Sequence, residues 1–414
     1  MFAPPAPVLI RARRREPHSG HISAKSNPFV IGEFTMRIDN QNGTLANLLQ
    51  TVIDQNAKAV DYQANTAGME FRSGNGDFPS QVFLEGQGGE PTRSLEVNDV
   101  CFDGIAKAAD IDVRTARRFA GSYPQEFDGL VNAIWQREPK NRLVRTFMEN
   151  DHVGTARAFL SDRFKTFDNL DLLESAIPEL MESENDWQVV NAAVTDKRLM
   201  ARFKSGKITG SGANVGDVMA LGLLISNSET GHGSIQVAQV NWTLACLNGM
   251  QTENKVRTPH LTSSRGDADV WSVLSEEAKR ADNQSLALKL RDLVRNFASR
   301  ESFEEILAGM RAAADDVIEG VAVEKSVDKL GAILGVPQKR RSMILEGLIE
   351  TRGQAGYAGQ PVSRATMMNA VTAVANRPDV SLDDVDDWQR LGGRVLNMSR
   401  ADWNAVSTAS AIAA

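Results

Sequence analysis

The 414-residue chain lacks most of the residues and segments that mark the easily recognised protein classes. It has only two cysteines, Cys101 and Cys246, which are too few for a disulfide framework and do not form a Cys-x-x-Cys pair. We therefore expect a reducing, cytoplasmic setting. No apolar run is long enough to cross a bilayer, so we expect no membrane association. With 24% charged and 42% hydrophobic residues, the composition excludes a fibrous or wholly disordered chain.

Catalytic and metal-binding signatures are missing from the sequence as well. There is no Walker A loop, no Gly-x-Ser-x-Gly and no His-Glu-x-x-His, and the five histidines are scattered. A thiol–imidazole pair of Cys246 and His260 is conceivable, but Cys246 falls at an apolar position of a predicted strand, where a buried thiol is inert. The aspartates of 383–387 predict a helix start near Ser381 rather than a cation site. We therefore name no catalytic residue, metal, cofactor or small-molecule substrate.

Hydrophobic patterning predicts an α+β fold. An amphipathic helix begins near Leu45, and alternating residues between 187 and 246 predict a central antiparallel β-meander of four strands. Farther along, apolar residues recur at helical spacing, which predicts a mostly helical C-terminal half. We expect four regions: a disordered extension over 1–36, an α+β domain with the antiparallel sheet over 37–265, a helical region packing on the sheet together with a C-terminal helical subdomain over 266–405, and a frayed tail over 406–414.

The clearest functional signal is a cluster of basic residues on one predicted strand. The net charge is −7, which excludes a uniformly basic coat, yet residues 195–210 hold five basic residues against a single acidic one. Alternation with apolar residues predicts that Arg198, Arg202 and Lys204 share a solvent-facing strand face, where they suit the evenly spaced phosphates of a nucleic acid. The alternative is a solvated face balanced by acids elsewhere. The candidate contacts are Arg198, Arg202, Lys204 and Lys207, with Arg142 and Arg145 upstream.

A second signal is a pattern similar to a helix-turn-helix. Residues 105–119 predict a short helix, a turn at Asp110, and a second helix with three arginines, Arg114, Arg117 and Arg118. A similar pattern recurs over 330–345, with Gly335 at the turn. Arginines on a second helix can contact DNA phosphates or base edges, but plain helical hairpins produce the same pattern. Both interpretations stay open at this point.

Several segments together resemble a family of phage- and plasmid-related proteins of unknown function. The resemblance covers about residues 100–400. It lies in residues 122–127 with 131–135, 157–164 with 168–173, 225–233 with 246–249, and 369–372. It implies a mobile-element setting in a bacterial cytoplasm, where proteins commonly handle DNA. The predicted meander followed by a long helix is also similar to the core of RecT-, Redβ- and Erf-type single-strand annealing proteins.

These observations favour a non-catalytic DNA-binding protein of a phage, prophage or plasmid. The absence of a P-loop motif is consistent with single-strand annealing without nucleotide hydrolysis, and we expect single-stranded DNA as the partner and a homo-oligomer as the working form. The alternative is a module that binds host or phage proteins, or has a structural role, without binding DNA; the acidic net charge and the helical C-terminal half suit it.

Overall fold

A computed structural model describes residues 11–14, 45–75, 78–86, 92–212, 218–243, 248–258, 274–320, 322–353, 357–377 and 379–411. These residues form 12 α-helices and two β-sheets, with a strand-rich middle and a helical C-terminal half, which confirms the α+β class. Within the described part of the chain, no helix is long and apolar enough to cross a membrane.

The strands are β1 (Arg11–Arg14), β2 (Ala59–Asn65), β3 (Met69–Arg72), β4 (Gln81–Leu84), β5 (Arg93–Val97), β6 (Asn141–Met148), β7 (Val153–Ser161), β8 (Trp187–Val194), β9 (Leu199–Ser211), β10 (Val218–Asn227), β11 (Ile235–Thr243) and β12 (Asn248–Thr258). The helices are α1 (Leu45–Lys58), α2 (Asp99–Ala108), α3 (Val113–Ser122), α4 (Pro124–Arg137), α5 (Asn169–Glu182), α6 (Glu276–Phe297), α7 (Arg300–Asp315), α8 (Val323–Leu334), α9 (Gln338–Arg352), α10 (Arg364–Ala373), α11 (Leu382–Leu396) and α12 (Arg400–Ser407).

The first sheet has seven strands in the order β1-β2-β6-β7-β5-β4-β3. All neighbours are antiparallel except β5 and β7. Its core is aromatic, with Phe71 edge-on to Phe127 and Trp135 stacked on Phe159. The hydrophobic pattern does not reveal β6 and β7 because basic residues interrupt it. Ion pairs allow two of these residues, Arg145 on β6 and Arg157 on β7, to be buried.

The second sheet is antiparallel throughout, in the order β12-β11-β10-β9-β8. It contains the predicted meander and one further strand, β12. The face with Leu199 and Phe203 shares a core with the apolar stripes of α5 and α6. On the opposite face, Gln389 of α11 is hydrogen-bonded to Arg202. Helices therefore cover both faces of β9, and the prediction of one solvent-facing side is wrong.

Two terminal segments are more ordered than the sequence predicts. Residues 11–14, expected to be part of a disordered extension, form edge strand β1, because main-chain pairing with β2 does not depend on side-chain hydrophobicity. The rest of 1–36 lies outside the described residues. The expected fraying at 406–411 is also wrong, since Val406 is fully buried and Ser410 Oγ accepts a hydrogen bond from Gly320 N at 2.9 Å.

A candidate nucleic-acid interface

Helices α2 and α3 form the predicted helix–turn–helix pair on one side of the first sheet. Asn98 caps α2 through its side-chain oxygen, which accepts from Cys101 N at 2.8 Å, and α2 buries Ile105 in the aromatic core. Asp110 in the turn has φ of +58°, the left-handed conformation that glycine ordinarily supplies. Asp112 then caps α3, with Oδ2 accepting from Thr115 N at 3.0 Å. The turn geometry is therefore present although its glycine is absent.

Helix α3 is held in place by few contacts. Ala116 is its one fully buried residue. Arg117 ties α3 back to α2 through hydrogen bonds to Asp99 and Asp103, both at 2.6 Å, and these carboxylates raise the pKa of Arg117. Most of the remaining side chains of α3 lie in solvent, which leaves the helix free to contact a partner.

The exposed residues of α3 and its C-terminal end include both cations and aromatic rings. Arg114 and Arg118 lie one helical turn apart, and neither guanidinium has a carboxylate partner among the described residues. Phe119 is 39% exposed and Tyr123, next to the end of α3, is 57% exposed; their ring centroids are 5.8 Å apart. We call these four side chains the α3 surface. The helix–turn–helix pattern predicts its arginines but not its aromatic residues, although the four-residue spacing of Phe119 and Tyr123 on a helix is a signal.

The predicted strand contact Arg202 does not lie in solvent. It is 1% exposed, with Nε donating to Gln389 Oε1 and Nη1 donating to Asn191 Oδ1, both at 3.2 Å. Burial lowers its pKa to about 10, although Asp386 favours the charged form. The prediction that Arg202 faces an open surface is wrong, because α11 covers this face of β9.

Arg145 is also buried, at 0% exposure, and its prediction as a surface contact is wrong. Its guanidinium donates to Asp61 at 3.1 Å, to Asp168 at 2.5 Å and to the carbonyl of Glu229 at 2.9 Å. Asp61 belongs to the first sheet, and Glu229 follows β10 of the second. Arg145 therefore joins the two sheets and cannot contact phosphates.

The other four predicted contacts do not form a continuous row of exposed cations. Arg198 is half-buried, with Nη1 4.0 Å from Asp386, and Lys204 is half-buried as well. Lys207 is exposed. Arg142 lies half-buried on β6, away from β9, with its guanidinium 5.8 Å from the ring centroid of Phe159. The predicted ribbon of positive charge is therefore interrupted.

The second helix–turn–helix pattern is a packed hairpin of α8 and α9. Gly335 at its turn has φ of +77°, as the sequence suggests. Its two arginines are paired: Arg340 lies 3.4 Å from Asp384 and over the Trp388 ring, and Arg341 lies 3.9 Å from Asp328. The two arginines of α9 are therefore less accessible to a partner than Arg114 and Arg118 of α3.

The aspartates of 383–387 lie at the start of α11, whose N-cap is Ser381, as predicted. Asp386 is buried rather than solvated, because it accepts a hydrogen bond from Gln251 and faces the guanidinium groups of Arg198 and Arg390. Cys246 and His260 lie outside the described residues.

No protein-family model matches this chain, and no curated protein or solved structure is similar to it.

Proposed function

We propose that this protein binds single-stranded DNA across the α3 surface. The observation that carries the proposal is that one solvent-exposed helix carries two arginines without a carboxylate partner among the described residues and ends in two exposed aromatic rings. Proteins that bind single strands combine cations, which follow the phosphates, with aromatic side chains, on which bases stack.

In the free protein, the two arginines of the α3 surface destabilise the helix that carries them. Like charges one turn apart destabilise a helix by about 0.2–0.5 kcal/mol, and Arg114 and Arg118 have no acidic partner among the described residues to offset that cost. A phosphate between the two guanidinium groups would replace repulsion with charge-assisted hydrogen bonds. The aromatic rings of Phe119 and Tyr123 would each contribute roughly 1–3 kcal/mol per stacked base.

We also propose an oligomeric state and an annealing activity for the DNA-bound protein. Two cations and two rings make a weak site for one chain, and a homo-oligomer would join several α3 surfaces on one strand and raise the avidity. Annealing of single strands without nucleotide hydrolysis, by a phage, prophage or plasmid protein in a bacterial cytoplasm, is the activity that we propose for such an assembly.

The test measures binding of fluorescent oligothymidylate by anisotropy at low salt. We expect Arg114→Ala/Arg118→Ala to weaken binding at least tenfold. The matched control is Arg352→Ala/Arg400→Ala, which removes the same charge from exposed positions on α9 and α12 and should leave the affinity within twofold. Equal losses in both variants, or wild-type affinity in the α3 variant, would contradict the proposal.

Aromatic substitution separates single-strand from duplex recognition. Phe119→Ala/Tyr123→Ala should weaken oligothymidylate binding at least tenfold, since the stacking platform is lost, with little effect on duplex binding. A chain that shifts neither form of DNA at low salt, yet captures a specific host protein, would favour the interaction-module alternative instead.

A further inference from the structure

A cleft of about 490 Å³ lies where α2, the first sheet and the turn between β10 and β11 meet. We call it the junction cleft. Its volume falls within the range of small-molecule pockets, and contacts between packed units are a common place for such sites. The lining residues that determine which ligand the cleft can bind are Lys107, Arg142, Phe159, Ser161, Phe164 and His232.

The charge of the junction cleft is positive. None of the described residues that line it is acidic. Arg142 Nε is buried with no hydrogen-bond partner, and the amine of exposed Lys107 has no acidic partner among the described residues. Asp103 and Asp162 are the nearby acids, and Asp103 is already bonded to Arg117. An anion in the cleft would therefore give Lys107 the partner that it lacks, and would add to Asp162, the nearby carboxylate that favours the charged form of Arg142.

The turn at 228–233 gives the cleft a fixed wall. Ser228 Oγ donates to Lys197 O at 2.6 Å and accepts from His232 N at 2.8 Å. Gly231 has φ of +82°, and a Cβ atom there would lie 2.8 Å from a methyl carbon of Leu160, so the turn requires glycine. His232 Nδ1 lies 3.1 Å from Thr230 O and donates to it, which leaves Nε2 unengaged by this bond.

The remaining wall is apolar and aromatic, from the buried rings of Phe159 and Phe164. A bare inorganic anion would leave this wall and most of the 490 Å³ in contact with water. A ligand with a flat ring joined to a phosphate would fill both parts, because the ring would lie against the apolar wall while the phosphate meets Lys107 and Arg142.

We propose that the junction cleft binds a nucleoside monophosphate group, taken either from a free nucleotide or from the phosphorylated end of a DNA strand. This inference does not depend on the α3 surface. It assigns a second site to the chain, one that recognises a terminal phosphate together with its base.

The test uses calorimetric titration of the full chain with thymidine 5′-monophosphate, thymidine and inorganic phosphate. We expect saturable binding of the monophosphate, at least tenfold weaker binding of phosphate, and none of thymidine. Lys107→Glu, at an exposed position, should weaken monophosphate binding at least tenfold, as should Arg142→Gln. The matched control Lys289→Glu, exposed on α6, should bind as the wild type does.

Oligothymidylates with and without a 5′-phosphate distinguish the two sources. If only the phosphorylated strand binds, the ligand is a strand end. If only the free nucleotide binds, the ligand is a soluble nucleotide. Both results support the site. Failure of both to bind, equal affinity for phosphate and monophosphate, or wild-type affinity in Lys107→Glu would overturn it. Arg114→Ala/Arg118→Ala should leave free-nucleotide binding unchanged, so a failure of the α3 surface is recognised separately.

Discussion

At the scale of single residues, the cations differ sharply in environment although the sequence presents them alike. Arg202, Lys204 and Arg114 are all basic residues in regular secondary structure, yet Arg202 is buried and Arg114 is in solvent. Strand alternation predicts correctly that Arg202 and Lys204 share a face of β9. It cannot show that α11, almost 200 residues later, covers that face with Gln389, because alternation reports the period of a strand and not its long-range contacts.

The buried role of Arg202 can be measured. Arg202→Ala should lower the free energy of unfolding by about 3 kcal/mol in urea, because it leaves buried Gln389 and Asn191 without their donor and removes one of the cations near the buried Asp386. Lys207→Ala on the same strand, at an exposed position, should change stability by less than about 0.5 kcal/mol. Equal stabilities of the two variants would contradict this assignment.

Glu179 gives the fold a pH dependence. Burial alone would raise its pKa, but hydrogen bonds from Arg291 and Arg295 of α6 outweigh burial and hold the pKa below its ordinary value. Stabilisation by this carboxylate is therefore present above the ordinary glutamate pKa and is lost as the pH falls through the lowered value. Glu179→Gln should cost about 1–2 kcal/mol at neutral pH, because both arginines are half-exposed, and the deficit should shrink in acid. Urea unfolding across the acidic range checks this, and a deficit independent of pH would contradict it.

At the scale of elements, periodicity predicts the helix–turn–helix pair correctly because both helices pack locally. It does not predict β6 and β7, whose basic residues break the apolar pattern and are accommodated by distant partners. For the candidate site, the sequence supplies Arg114 and Arg118 but not the aromatic pair, since exposure of Phe119 depends on how α3 packs against α4.

The turn between α2 and α3 requires a positive φ at Asp110. Its positive φ is tolerated by aspartate and favoured by glycine, but it places a β-branched side chain in steric conflict. Asp110→Val should therefore lower thermal stability by about 1–2 kcal/mol, whereas Asp110→Gly should be neutral within about 0.5 kcal/mol. Thermal unfolding of both variants decides the matter, and equal destabilisation by valine and glycine would be inconsistent with the turn described.

At the scale of the whole molecule, buried charge joins the two sheets. Arg145 bonds to Asp61 and Asp168, and Arg157 pairs with Glu229, which also accepts from Asn169 N at 2.7 Å. Arg145 lies 84 residues from both Asp61 and Glu229 in the chain, so no local pattern reveals the network. Glu229 directly precedes Thr230 and Gly231, which line the junction cleft, so this network includes a chain neighbour of that site.

Substitution of Arg145, the cation at the centre of this network, should destabilise the contact between the two sheets. Arg145→Met should cost about 3–5 kcal/mol of unfolding free energy, because it leaves buried carboxylates uncompensated, and should speed amide exchange in β6 and in the 228–233 turn. Arg72→Ala, which breaks an exposed pair with Glu70, should cost less than about 1 kcal/mol. Amide exchange that accelerates uniformly over the chain would argue against a local role.

The salt dependence of oligothymidylate binding tests the central claim most directly. Each phosphate contact contributes about 0.7 to the slope of log affinity against log salt for a single strand, so Arg114→Ala/Arg118→Ala should reduce the slope by roughly one to two units. Lys204→Ala/Lys207→Ala on β9 should leave the slope as it is in the wild type. An unchanged slope in the α3 variant, or a loss confined to the β9 variant, would show that DNA does not follow α3.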